Sequence, residues 1–156
     1  MARDSAFLRV GAVRSFPAMH LSFALFADAA NLSVEGKLNI LGVFDAVQVA
    51  GLPTVHPRAH IVVRLKGTAA DAGAHVIALQ WVNPSGAELW SSNGELNVAT
   101  PPAEVADIDF PLIAAVDLPL DAAGTYAMRI AIDGSVHGEV RLHVRTTVVT
   151  AGKMVS

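Results

Sequence analysis

The sequence predicts an all-β domain, an antiparallel β-sandwich of about eight strands, immunoglobulin-like or related. Three observations predict it. Apolar and polar residues alternate with period two along much of the chain, the pattern of half-buried strands. Turn-forming clusters punctuate these runs at Glu35-Gly36, Asn83-Pro84-Ser85-Gly86, Asp121-Ala122-Ala123-Gly124 and Asp133-Gly134. No stretch carries the 3.6-residue period of a long helix, and Pro101-Pro102 to Ala106 has room for one turn at most.

The elements follow in chain order. Residues 1–18 have no strand pattern and read as a basic N-terminal extension, with Arg3, Arg9 and Arg14 against Asp4. The domain then spans 19–147, and 148–156 form a C-terminal tail. Leu21, Phe23 and Leu25 predict the inner face of a first strand. Residues 38–49 are apolar on both faces, as expected of central strands in a covered sheet. Residues 58–66 place Ala59, Ile61, Val63 and Leu65 inward and Arg58, His60, Arg64 and Lys66 (with Val62) outward. Residues 75–82 are again apolar on both faces, and 87–98 supply a broken strand or a short hairpin. Ile108, Phe110, Leu112, Ala114, Val116 and Leu118 form the next inner face.

The last two strands make a hairpin about Asp133-Gly134, the strongest turn signal in the chain. Tyr126, Met128, Ile130 and Ile132 point inward on one strand, and Val136, Val140, Leu142 and Val144 on the other. A plain two-residue turn would pair Ile130 with His137 and put a histidine in the core. One extra residue in the second strand, at Gly138, instead pairs Met128 with Val140 and Tyr126 with Leu142. A three-residue loop from Asp133 to Ser135 is the alternative. Leu118 to Tyr126 has the form of a tyrosine corner, in which a strand-opening Tyr returns its hydroxyl to the backbone upstream.

Composition narrows the function classes. The 156 residues suit one domain, large enough to bury a core without disulfide or metal, and cysteine is absent. Net charge is −3, so no basic field exists to hold a phosphate backbone, and nucleic acid is not expected as a partner. Only 16% of residues are charged against about 25% in an average soluble chain, which points to a surface covered by a protein partner or a second copy. Residues 1–29 could serve as an export signal, which would place the protein in the periplasm. His20, Ser22 and Asp28 interrupt the apolar run, so the adopted reading opens the domain at Met19 and expects a cytoplasmic protein. Membrane contact is at most peripheral, since three arginines at about 1 kcal/mol each do not anchor a protein.

No residue cluster carries a strong chemical signature, and no cofactor is implied. His56 and His60 flank Pro57 at the start of a strand, about 13 Å apart, too far to share a metal. His137, Glu139 and His143 share an outward face that could supply ligands or acid–base groups, but a solvated polar face needs the same residues. Asp28 and Asp45 beside apolar runs could be a carboxylate pair, or could cap turns. Trp81 and Trp90 fit the core better than a ligand groove.

Phe26-Ala27-Asp28-Ala29, Gly36-Lys37-Leu38, Leu41-Gly42-Val43-Phe44-Asp45 and Pro53-Thr54-Val55-His56-Pro57 together resemble an uncharacterised bacterial domain family, a domain of unknown function. The likeness continues through Asn83-Pro84-Ser85-Gly86 and Gly124-Thr125-Tyr126, over roughly residues 19–147. It implies a β-rich fold and no activity. The expectation is therefore a non-catalytic binding or assembly module, such as an accessory subunit of a larger, membrane-associated complex. Its contacts would be Arg3, Arg9 and Arg14 of the extension with His137, Glu139, Arg141 and His143 of the last strand. The alternative is a ligand carrier or enzyme with a site from Asp28 and Asp45, or from His137, Glu139 and His143.

Overall fold

The computed structural model describes residues 19–147, which form nine strands in two sheets. They are β1 (His20–Leu32), β2 (Leu38–Phe44), β3 (Ala46–Val49), β4 (Thr54–Thr68), β5 (Gly73–Val82), β6 (Glu88–Val98), β7 (Asp107–Leu120), β8 (Gly124–Ile132) and β9 (Ser135–Thr146). A single 3₁₀ turn, Ala69–Asp71, joins β4 to β5. The first sheet runs β2-β1-β4-β7 and the second β3-β9-β8-β5-β6. Every pairing is antiparallel except β3 on β9.

The core lies between the sheets. Phe26, Ile61, Val63, Leu65 and Leu118 meet Trp81, Tyr126, Met128, Ile130 and Leu142 there. Trp81 stacks on Tyr126 at 5.1 Å, meets Phe26 edge-on, and donates its indole N–H to the Pro119 carbonyl at 2.9 Å. A buried indole thus keeps its one donor satisfied. The tyrosine corner is present. The Tyr126 hydroxyl accepts the amides of Asp121 and Ala122, both at 2.9 Å, and reaches the Asp121 carboxylate and the Ala122 carbonyl as donor. That feature marks immunoglobulin-type sandwiches.

The β8–β9 hairpin turns on two residues, Asp133 (φ 50°) and Gly134 (φ 84°), both left-handed as a type I′ turn requires. Met128 pairs with Val140 and Tyr126 with Leu142, and the register shift falls where His137 and Gly138 together oppose Ile130. Gly138 lets the strands approach closely there: a Cβ would sit 2.5 Å from the tip of Leu21 on the facing sheet, which would have to shift. Val136 lies before the bulge, so its parity is reversed: it pairs with Ala131 and is 65% exposed, not inward as the alternation predicts.

A second bulge corrects the first strand. Leu21 pairs with Leu65 but Phe23 with Arg64, so parity flips at Ser22. Leu21, Ala24 and Phe26 therefore face the core, while Phe23 and Leu25 lie on the outer face of the sheet. Residues 38–49 are not central strands. The chain changes sheets at Asp45, leaving β2 and β3 as the outer strands of opposite sheets. Residues 87–98 are one long edge strand, β6, rather than a hairpin.

Candidate functional site

The polar residues on the outward side of β9 do not converge on one point. Glu139 sits between Arg141, whose Nε donates at 3.0 Å, and Arg129, directly across on β8 at 4.0 Å. His143 reaches Thr125 Oγ1 through Nδ1 at 3.0 Å. His137 occupies the bulge, exposed like Glu139, Arg141 and His143. The row is a solvated, partly ion-paired stripe with no converging set of ligands. Arg3, Arg9 and Arg14 lie outside the described residues.

Asp28 and Asp45 are not brought together as a buried pair; both are exposed. The Asp28 carboxylate lies against Gly42, which takes φ 66° and leaves no room for a Cβ. The glycine of the Leu41-Gly42-Val43 run is thus explained by a close approach and a left-handed backbone. Asp45 is the residue at which the chain crosses between sheets, and its carbonyl accepts the His143 amide at 2.8 Å. His56 packs its ring on Phe44 at 5.3 Å, and His60 lies beyond a bulge at Pro57-Arg58 whose Arg58 amide is held by Asp117. The Nδ1 of His60 and the Nε1 of Trp90 are buried without a hydrogen-bond partner. Among the described residues no group of three or more His, Asp or Glu side chains could hold a metal ion.

Sequence reasoning did not find the one tightly bonded histidine. His75 opens β5 and binds Asp133 of the β8–β9 turn through Nδ1 at 2.7 Å. Its Nε2 meets the Asp71 carbonyl. Asp133 also accepts the Val76 amide at 2.9 Å. Hydrogen bonding to Asp133, then to the Asp71 carbonyl, pushes the His75 pKa up, and the same contact with His75 pulls Asp133 below the usual carboxylate range. Two acceptors facing both ring nitrogens favour the imidazolium. With Nδ1 engaged by Asp133 and Nε2 by a backbone carbonyl, neither ring nitrogen is free to act as a base. The open cleft beside it, about 310 Å³, is lined by Met19, Ile132, Ser135 and His137 in addition. Finding the pair requires knowing that β5 lies beside β8, a pairing across fifty residues that no local pattern encodes.

A larger open cavity, about 390 Å³, joins the β1–β2 hairpin tip (Gly36, Lys37 and Leu38) to Arg64, Asp109 and Pro111 on the outer face of the first sheet. Its charges are already matched: Arg64 with Asp109 through two guanidinium nitrogens, and Lys37 with Glu35 at 2.9 Å. Arg64 lowers the Asp109 pKa accordingly.

The most unusual surface is the edge strand β2. Its sequence, Leu-Asn-Ile-Leu-Gly-Val-Phe, holds no charge and no proline, and Leu41 and Val43 are 70% and 62% exposed. Natural edges are normally blunted by charges, prolines or cover, because a free row of amides and carbonyls pairs with other strands. No helix among the described residues is long and apolar enough to cross a membrane.

No curated protein matches the chain. Among solved structures it is similar to an alkylpurine DNA glycosylase of Pseudomonas fluorescens bound to DNA containing an abasic-site analogue. Identity is 9% and the TM-score 0.44, covering 81% of this chain and 30% of that one. The chain therefore spans less than a third of the glycosylase. It is also similar to an immunoglobulin-like protein of Pseudomonas aeruginosa, at 10% identity and TM-score 0.37, covering 84% of this chain and 99% of that one. A family model matches residues 12–145, and the chain belongs to that family of unknown function, DUF6941.

Proposed function

We propose that the domain is a non-catalytic assembly module, an accessory subunit that joins a larger complex by strand pairing at the β2 edge. The observation that carries this reading is β2 itself: seven residues at a sheet edge, uncharged, proline-free, with Leu41 and Val43 in solvent. Main-chain hydrogen bonds to an added strand would supply affinity, and its alternate side chains would cover Leu41 and Val43. The low charge fraction of the chain fits a surface that is covered in use. Asp28 and Asp45 form no buried pair and Glu139 is already engaged by Arg129 and Arg141, which supports binding over chemistry, because acid–base catalysis needs such groups within hydrogen-bond reach of one reacting atom.

The test is gentle affinity purification of the full chain from its native cells, with light scattering on the product, beside a Leu41→Lys/Val43→Lys variant. The wild type should carry a protein partner at constant ratio, and the folded double variant should come through alone. Recovery of the wild type without a partner, or equal retention by the variant, refutes the proposal.

A further inference from the structure

Two residues are buried where a two-layer sandwich has no interior. Ala27 and Val62 have no solvent exposure, yet neither belongs to the core between the sheets. The register turns both outward: Ala27 pairs with His60, and Val62 lies between Leu25 and Ile113. Phe23, Leu25 and Ile113 share that face, half-buried and likewise not packed on the core. The outer face of the first sheet thus carries a second apolar cluster, and the Nδ1 of His60 is buried within it.

The β1–β2 hairpin supplies cover for it. Ala27 is level with His60, so a straight hairpin would end five residues beyond that row, at Leu32, while Arg64 lies four residues the other way. At about 3.3 Å per residue, the tip and Arg64 would then be about 30 Å apart. Instead Gly36, Lys37 and Leu38 line one cavity with Arg64, Asp109 and Pro111. The hairpin therefore folds back over the outer face. It carries with it Leu38 and Ile40, which are half-buried although they do not pack on the core. The bend falls where the ladder skips. Ala27 pairs with Val43 and Ala29 with Leu41, and between them Gly42 takes φ 66° with the Asp28 carboxylate in the space of a Cβ. A glycine suits such a bend, having neither a Cβ to collide nor a penalty for the left-handed backbone.

Beyond the bend the hairpin holds itself together, through the ladder from Ala29–Leu41 to Leu32–Leu38, the Ser33–Lys37 backbone bond and the Asn39–Asn31 side-chain bond. The Lys37–Glu35 ion pair is also internal to it. Its seat is loosely filled, since a cavity of about 390 Å³ lies beneath the tip. Pieces with few buried contacts open at much lower cost than the whole domain. We infer that residues 28–42 are a strap, hinged at Asp28 and Gly42, which closes over the apolar outer face and opens as a unit while the sandwich stays folded. Closed, it withholds Leu25, Val62 and Ile113 together with the Leu38–Ile40 side of β2; open, it presents both. The device goes beyond strand addition at β2, which uses the edge with Leu41 and Val43 and does not require the strap to move.

The chain has no cysteine, so a single introduced thiol reports opening cleanly. Val62→Cys and Val63→Cys place it on opposite faces of one strand, at two positions that are both buried. Each full-length variant is mixed with an aromatic disulfide reagent that releases a coloured thiolate, and labelling is followed in rising urea below the unfolding transition. The thiol at position 62 should react about 100-fold faster than the one at 63, at a rate nearly flat in urea, because only the strap must open. The thiol at position 63 should wait for global unfolding and respond steeply to urea. Gly42→Ala drives a Cβ into Asp28 and strains a left-handed residue, and should speed labelling at 62 about tenfold while leaving 63 as it was. Ile40→Ala, which removes no core contact, should also speed labelling at 62 by loosening the seat. Equal rates with equal urea dependence at the two positions would overturn the inference. So would a rate at position 62 that neither Gly42→Ala nor Ile40→Ala changes.

Discussion

Replacing Tyr126 by Phe removes one oxygen and tests the corner that ties the start of β8 to the loop before it. The hydroxyl accepts two backbone amides, from Asp121 and Ala122, and donates to the Asp121 carboxylate or the Ala122 carbonyl at 2.8 and 2.7 Å. Three hydrogen bonds at about 1 kcal/mol net give roughly 3 kcal/mol. Stranding two amides raises that figure, and the exposure of Asp121 and Ala122 lowers it by admitting water. The expected loss is therefore about 2–4 kcal/mol, a large share of a total stability that is itself about 5–15 kcal/mol. Urea unfolding followed by tryptophan fluorescence is a suitable assay, because Phe keeps the ring that stacks on Trp81. With m near 1.5–2 kcal/mol/M, the midpoint should fall by roughly 1–2.5 M. A fall worth less than about 0.5 kcal/mol at unchanged m would show that the corner is ornamental, and the argument for it would fail.

The remaining predictions address charge, register and packing. A histidine whose folded pKa is raised adds stability that is complete below its unfolded value near 6.5 and is lost as pH rises through the folded value. Asp133, lowered by His75, adds stability present above the ordinary Asp range and lost as pH falls through its folded value. The urea midpoint should thus be higher at pH 6 than at pH 8.5, and His75→Gln should shrink the difference; an equal drop in the variant would remove the ion pair from the account. Val136→Lys should change stability by no more than about 0.5 kcal/mol, whereas Val140→Lys, which buries an unpaired ammonium, should prevent folding or cost more than about 4 kcal/mol; comparable effects in a denaturation series would mean the bulge is misplaced. Gly138→Ala should destabilise by about 1–3 kcal/mol through collision with Leu21, and Leu21→Ala should cancel part of that in a double-mutant cycle. Strict additivity of the two would contradict the close approach.

The parts of the fold legible in the sequence are those that neighbouring residues determine. Asp133-Gly134 names its own turn, and the clash of His137 with the core forces an extra residue at His137–Gly138. The spacing from Leu118 to Tyr126 announces the tyrosine corner, and alternation alone orients β4 and β7. Other features depend on distant partners. Alternation cannot see a bulge inside a strand, so the flip at Ser22 reverses Phe23 and Leu25, and the parity change before Gly138 turns Val136 out. An apolar run reads as buried whether it is central or at an edge, so β2 and β3 look like central strands until Asp45 is seen to carry the chain from one sheet to the other. The polarity of Ser91 to Glu95 hides a strand because this stretch of the β6 edge is exposed on both faces, the inward Ser92 and Gly94 included.

For the candidate sites the same limit holds. The outward stripe of β9 is where alternation places it, yet alternation does not say that Arg129 and Arg141 already occupy Glu139. The contact of His75 with Asp133 exists only once β5 is set beside β8.

Amide hydrogen exchange, measured on the isolated chain and again on the chain purified with its partner, tests the β2 edge most directly. Protection newly gained at Leu38–Phe44, with the β6 edge unchanged, is the result predicted for strand addition at β2. Exchange at β2 as fast in the complex as in the free domain, with new protection elsewhere, would contradict it.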